Sequence, residues 1–309
     1  MHYYTAFGLS IQSDIEIPVL VKTEPKAIDV NIITGNVSKR GLDKPRGIKP
    51  NRQIADNEVW LHVPEVARYH VSNGNRILVD PFEKSHTKNI ILYLLGTCFG
   101  AIAHQRNNLV IHGNAIRFGD HCVIFAGQSG NGKSTLAAAF YQKGFEILAD
   151  DVSVIDGEGH AQPSYPQMKL WPDTAEKLNV DITELEHVCV GFDKYAYPLT
   201  EGFCSTPLPV KAIYILNTHD KDSFIFEEVK GIDKFFPIKK NTYRKGLLKG
   251  LGLKKQHLTL SSKFASNIRV INITRPTKGF EIEKLVTLIE QHQNNLQLIN
   301  APISKICFF

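Results

Sequence analysis

Apolar residues in the first eighty positions fall in short alternating runs, without helical stripes. YYTAFGLSI, DVNIIT, EVWLHV, RYHVSN and RILVD are β-branched or aromatic segments separated by Gly, Pro and Asn turns, which predicts a β-rich region over residues 1–86. Between them, SKRGLDKPRGIKPNRQ (Ser38 to Gln53) has no hydrophobic period and reads as an exposed basic loop. The pattern changes at Thr87, where a helix is expected to Arg106. NLVIHGNAIRF and HCVIFAG then read as two strands joined by the turn Gly119-Asp120, with Gly at the first central position as a type II′ hairpin needs. STLAAAFYQKG reads as a helix closed by Gly144, and FEILA as a strand. PVKAIYILN and IRVINITRP are further strands, and FEIEKLVTLIEQHQ is an amphipathic helix. Strands alternating with helices over residues 87–309 predict an α/β class for the larger part of the chain.

At 309 residues the chain is long enough for two domains or one large one. It is 43% hydrophobic and 22% charged with a net charge of +5, ordinary values for a globular protein and too mild a charge to mark a nucleic-acid binder. The opening MHYYTAFGLSIQSD lacks the basic and apolar halves of a signal peptide, and the run Ile90 to Ala103 is too short to span a bilayer. No membrane association is expected. The five cysteines (Cys98, Cys122, Cys189, Cys204, Cys307) lack metal-ligand spacing and read as reduced structural thiols of a cytoplasmic protein.

Chemistry concentrates in GQSGNGKST. Gly127, Gln128, Ser129, Gly130, Asn131, Gly132, Lys133, Ser134 and Thr135 satisfy G-x-x-x-x-G-K-[ST], the phosphate-loop pattern. Small residues let successive backbone N–H groups turn toward a phosphate chain, and the following helix adds its positive N-terminal end. Lys133 supplies a cation for the terminal phosphates, and the Ser134 hydroxyl suits Mg²⁺. Strand, loop and helix come in the order nucleotide binding requires.

Two further positions join the loop by counting. From the Gly119-Asp120 turn outward, Phe118 faces His121 and His112 falls opposite Gly127, beside the loop. Asp150-Asp151 falls at the C-terminal end of the strand Phe145 to Ala149, the edge where α/β sheets gather their ligands. One of two adjacent carboxylates there can hold the metal, and the other can accept a proton. Other segments carry weaker signals. Trp171 reads as packing, Lys194 as a phosphate contact or a solvated lysine, and Arg275, just after the last strand, as an anion contact. Phe235 to Lys255, which includes Arg244, reads as a helix with a solvated basic face, a docking surface for an acidic peptide being the lesser reading.

The block from Val110 to Ile155, with His112-Gly113, GQSGNGKS, Lys143-Gly144 and LADD, resembles the catalytic domain of HPr kinase/phosphorylase. The resemblance implies the phosphate-loop mixed sheet shared with phosphoenolpyruvate carboxykinases, over residues 87–309. It implies Asp150 as general base, Asp151 as a Mg²⁺ contact and His112 as a neighbour of the transferred phosphate. AFGLSIQSDIEIP, PQMKLWPD, DKYAYPL and the TRP segment are similar to HPr-kinase-like proteins of peptide natural-product clusters, among them the lasso-peptide kinases. The expectation is an ATP- and Mg²⁺-dependent serine kinase acting on a peptide or protein, with a homo-oligomer left open by the family's hexamers. An NTPase, a nucleotide-binding regulatory module and a small-molecule kinase are the alternatives.

Overall fold

The computed structural model describes residues 1–278, 281–298 and 305–308. Two nine-stranded mixed sheets organise the chain. The first holds nine strands from β1 (His2–Ala6) to β9 (Arg76–Pro81). YYTAFGLSI splits into two of them, because Phe7 and Gly8 turn the chain through left-handed backbone at φ 55° and 72°. Alternate residues such as Tyr4, Ile11, Ile32, Tyr69 and Ile77 point into one core. The basic stretch expected as a plain loop carries a hairpin, β5 (Gly47–Lys49) with β6 (Arg52–Ala55), on the edge of this sheet. An edge hairpin with only Ile54 and Ala55 buried shows no apolar alternation, so its sequence reads as loop.

The expected helix from Thr87 to Arg106 is α1 (Thr87–Tyr93), a π-helical turn (Leu94–Cys98) and α2 (Phe99–Gln105). Its apolar face, including Ile90, Leu94, Phe99 and Ile102, shares the core of the first sheet.

The second sheet is built around β10 (Leu109–Phe118) and β11 (His121–Gly127). Their register runs from Phe118↔His121 to Gly113↔Ala126 without a bulge, across a turn in which Gly119 has φ 64°. Beyond Gly113 the first half of β10 leaves β11 and pairs with β13 (Val152–Ile155), so His112 lies opposite Val152 and not opposite Gly127 as counting from the turn predicted; Gly127 pairs with Leu216 instead. The opposite edge of His112 is taken by Asn241, whose carbonyl accepts the His112 N–H at 2.8 Å.

Strand β12 (Ile147–Ala149) also lies antiparallel to β10. β17 (Leu208–His219) runs parallel to β11, and β19 (Arg269–Pro276) parallel to β17. The C-terminal ends of β11, β12, β17 and β19 therefore share one edge although β10 runs the other way. Phe125 and Tyr214 of the sheet stack on each other beneath α3 (Lys133–Gln142) and α8 (Ile282–Leu298), with Phe140 of α3 stacked on Phe125, while Ile124, Ile213 and Val270 fill the opposite face.

Residues 235–255 do not form one helix. α5 (Phe235–Lys240) and α6 (Leu247–Gly250) flank a non-helical turn, and α7 starts only at Lys254 (Lys254–Asn267). Leu247, Leu248 and Leu251 are buried as their spacing implied. Among the described residues no helix is long and apolar enough to cross a membrane. Cys98, Cys122, Cys189 and Cys204 are free and buried, and the Cys307 side chain lies outside the described residues.

Candidate functional site

The loop after β11 turns through Gly132, whose φ of 92° is left-handed backbone that L side chains rarely adopt. Gly132 is also the N-cap of α3, so no side-chain oxygen satisfies the first-turn N–H groups of this ten-residue helix, and an anion can. The Lys133 ammonium folds back on the loop, donating to the carbonyl oxygens of Gly127 at 2.9 Å and Gln128 at 3.1 Å. Burial lowers its proton affinity.

Two side chains brace the loop. Asn131 donates through Nδ2 to the Leu216 carbonyl at 2.6 Å, and Arg275 donates from Nε and Nη2 to the Asn131 carbonyl at 3.3 and 3.2 Å. Arg275 thus sits within β19, buried against the loop, and holds loop backbone where sequence spacing suggested an anion contact. At the other end, Thr135 and Thr174 hydroxyls meet at 3.0 Å and fasten α3 to α4 (Pro172–Lys177).

The two aspartates occupy opposite sides of a tight turn. Val152 N donates to Asp150 O at 2.8 Å across Asp151, whose φ is 68°. An i to i+2 bond around a non-glycine residue in left-handed backbone is a strained γ-turn, of the kind found at functional sites. The turn sends the two carboxylates apart. Asp151 faces the main cavity, and its Oδ2 accepts from Lys169 Nζ at 3.0 Å. Asp150 is 4% exposed, and both its oxygens are engaged: Oδ1 accepts from Asn114 Nδ2, and Oδ2 from the Lys169 backbone N–H at 2.9 Å. The residue expected to take the substrate proton is therefore not on the cavity wall, and its neighbour is.

Their electrostatics diverge as well. Burial, with the charge of Asp151 beside it, pushes the Asp150 carboxyl up to about 6. Burial acts against the Asp151 charge too, but Lys169 and Lys194 outweigh it and hold that carboxyl well below the usual range.

His112 lines the same cavity. Its Nδ1 lies 2.9 Å from the Asp151 carbonyl oxygen, so Nδ1 carries the proton and donates. Burial, then the Lys133 charge, lowers its proton affinity and keeps the ring neutral. Tyr243 stacks obliquely on it with centroids 5.8 Å apart. Four contacts hold the Tyr243 segment in place: Asn241 to His112, Tyr243 N to the Val110 carbonyl, His104 Nε2 to the Tyr243 carbonyl, and Thr242 Oγ1 to His257.

These groups enclose a cavity of about 540 Å³ that runs from the π-helical turn past the glycine loop to α4. Lys194 stands on its wall, 4.8 Å from the centre of the Trp171 ring. Trp171, expected as packing, is 42% exposed there and leans on Phe192. Segment 181–194 is tied to α1 by Val190 N to Asn89 Oδ1 at 2.8 Å and by the Lys88–Glu186 ion pair. Lys169, Phe192, Tyr243, Arg244 and the π-helical turn are among the wall residues that sequence spacing missed. Only the absence of a helical period between Asn241 and Gly246 hinted at a special turn.

The donor set tests for Mg²⁺. Among the described residues no group of three or more His, Cys, Asp or Glu gathers to hold a metal alone. The Ser134 hydroxyl and the Asp151 carboxylate both face the cavity, two hard oxygen donors that suit a metal completed by phosphate oxygens and water.

No family model and no curated protein matches this chain. Among solved structures it is similar to the HPr(Ser) kinase/phosphatase from Coxiella burnetii, at 11% identity and a TM-score of 0.29, covering 61% of this chain and 92% of that one.

Proposed function

We propose that this chain is an ATP-dependent serine kinase of the HPr-kinase-like type, with the nucleotide fold of that family and of the phosphoenolpyruvate carboxykinases. It moves the γ-phosphate of ATP onto the hydroxyl of a serine in a peptide or protein. The observation that carries this reading is the opening of the glycine loop, Lys133, Ser134, His112 and Asp151 onto one cavity. A phosphoryl transfer needs an anion cradle, a mobile cation and a carboxylate near the acceptor, and these residues supply all three.

In this mechanism the backbone N–H groups at Gly132–Thr135 cradle the phosphates. Lys133 leaves the carbonyls of Gly127 and Gln128 for the terminal phosphate oxygens. The serine oxygen forms a bond to the γ-phosphorus as the bond from that phosphorus to the bridging oxygen of ADP breaks. The serine proton passes to a carboxylate, and we give that role to Asp151 because it faces the cavity. Asp150, expected for the role from the family pattern, stands behind as the brace of the turn. Ser134 would hold Mg²⁺, with Asp151 reaching it through water, and the ion would neutralise phosphate charge when bound. His112 holds the turn that presents Asp151. Free buried thiols accord with a cytoplasmic enzyme.

The test is incubation with γ-labelled ATP and serine peptides, with alanine versions as controls. Label on the serine peptides alone is the expected result. Release of free phosphate without labelled peptide would make the protein an NTPase. Nucleotide binding with no turnover would make it a regulatory module. Similarity to the peptide-cluster proteins favours a short peptide as the first acceptor to try.

A further inference from the structure

Two basic segments far apart in sequence meet beside the cavity. The first is residues 36–57, with Lys39, Arg40, Lys44, Arg46, Lys49 and Arg52 against only Asp43 and Asp56. The second is residues 234–280, which contain no Asp or Glu at all. Sequence alone favours a solvated surface for each, with an acidic-peptide contact as the lesser reading of the second. The fold joins them. A Cβ on Gly250 would lie 2.6 Å from the Ile54 side chain, so α6 packs its backbone directly on strand β6. One on Gly246 would lie 3.6 Å from an Arg52 guanidinium nitrogen.

This junction leaves positive charge uncompensated. Arg46 is paired with Asp56, but Lys44, Lys49, Lys245, Lys249, Lys254 and Lys255 are exposed and make no ion pair within 4.0 Å among the described residues. Arg52 carries a buried Nε with no hydrogen-bond partner, although guanidinium nitrogens are strong donors. Burial, then the positive charge of Arg244, disfavours the Arg52 guanidinium, so two like charges stand close enough to repel. Arg244 is exposed, has left-handed backbone at φ 48°, and forms part of the cavity wall with Tyr243 beneath its guanidinium. The basic surface therefore reaches from the edge hairpin, through Arg52, to Arg244 on the wall of the cavity where transfer is proposed.

We propose that the surface made by the β5–β6 hairpin, Arg52, Arg244 and α6 docks an acidic stretch of the acceptor polypeptide and leads its serine into the cavity. This rests on the kinase reading and adds the substrate class to it. An acidic peptide fits better than a nucleic acid. The patch ends at a site for a hydroxyl acceptor, carries Asp43 and Asp56 among its cations, and the whole chain is only mildly basic at +5. Charge complementarity of this kind sets partner choice and association rate more than raw affinity.

The experiment uses the full chain and three labelled probes: a short peptide with a serine among glutamates, the same peptide with glutamines, and a single-stranded oligonucleotide. Binding is read by fluorescence anisotropy at rising salt, and phosphopeptide by mass spectrometry. The triple variant Lys49→Glu/Lys245→Glu/Lys249→Glu is run beside the wild type, and its ATP affinity reports that its cavity is folded. The expected result is tighter binding of the glutamate peptide, weakening with salt, and roughly tenfold or greater loss in the variant. Equal binding of the glutamate and glutamine peptides overturns the proposal, as does unchanged binding by the variant. Tighter binding of the oligonucleotide than of the glutamate peptide also overturns it and marks a nucleic-acid surface. A glutamate peptide that binds through this surface but gains no phosphate supports the docking surface and overturns the kinase reading, so the two fail separately.

Discussion

His112 and Asp151 are joined through the imidazole Nδ1–H and the Asp151 carbonyl oxygen, 2.9 Å apart, and Gly113 N donates to the same oxygen at 3.1 Å. The histidine beside the glycine loop therefore grips the backbone of the turn that presents Asp151. That turn is strained at φ 68°, and a strained turn persists only while its surroundings hold it. His112→Ala should lower phosphotransfer roughly 10- to 100-fold with little change in ATP affinity, the range expected when a positioning contact is lost. His112→Asn, whose Nδ2–H can replace the Nδ1 donor, should recover most of the loss. An asparagine variant as inactive as the alanine one would assign the histidine to the phosphate instead.

Asp151→Asn should retain ATP binding and lose phosphotransfer by about 10² or more, because it removes the only carboxylate of the pair on the cavity wall. Asp150→Asn should be the milder change. Single-turnover rates for both variants decide the assignment, and the reverse ranking would return the proton to Asp150.

Asp150 also predicts a pH dependence of stability. Its folded carboxyl binds a proton up to about pH 6, against 3.8 for an ordinary aspartate. Between those values the native state holds more protons than the unfolded chain, so this residue's contribution falls as pH rises through the window. Asp150→Asn removes that loss. The melting temperature of the variant minus that of the wild type should rise from about pH 4 to pH 7, the underlying free-energy change being at most about 3 kcal/mol. A pH-independent difference would mean that Asp150 is not buried as the structure has it. His112 and Asp151 change in the opposite sense, which is why the difference between the two proteins is the quantity to measure.

Loop bracing can be separated from phosphate contact. Lys133→Met should cost roughly 50-fold or more in ATP affinity, the value of a charge-assisted hydrogen bond or two. Arg275→Met should cost less, about tenfold, and should raise amide exchange at Asn131 and Gly132, because its guanidinium holds the Asn131 carbonyl. Calorimetry on the two variants measures the first effect and hydrogen exchange the second.

Trp171 is a built-in reporter. It is 42% exposed on the cavity wall, while Trp60, the other tryptophan, is 4% exposed in the first sheet. ATP with Mg²⁺ should change the tryptophan emission, and Trp171→Phe should abolish the change. A response that survives in Trp171→Phe would place the nucleotide away from this wall.

Local rules made much of this legible. The two-residue turn determined the β10–β11 register as far as Gly113, and the glycine spacing determined a strand, loop and helix in the right order. An aspartate pair at the end of a short strand was likewise readable, because strand direction follows from counting turns. Composition alone determined that residues 234–280 carry no acid.

The tertiary structure decided which of two neighbouring carboxylates meets the cavity. Asn114 and the Lys169 backbone bind Asp150 from 36 and 19 residues away, and a γ-turn sends Asp151 outward. It also decided that Arg275 braces a loop 144 residues earlier, and that Trp171 and Arg244 stand on a wall. No period or spacing encodes such pairings. They arise when buried polar groups find the hydrogen-bond partners that chain-distant segments happen to bring, and only the folded arrangement says which segments those are.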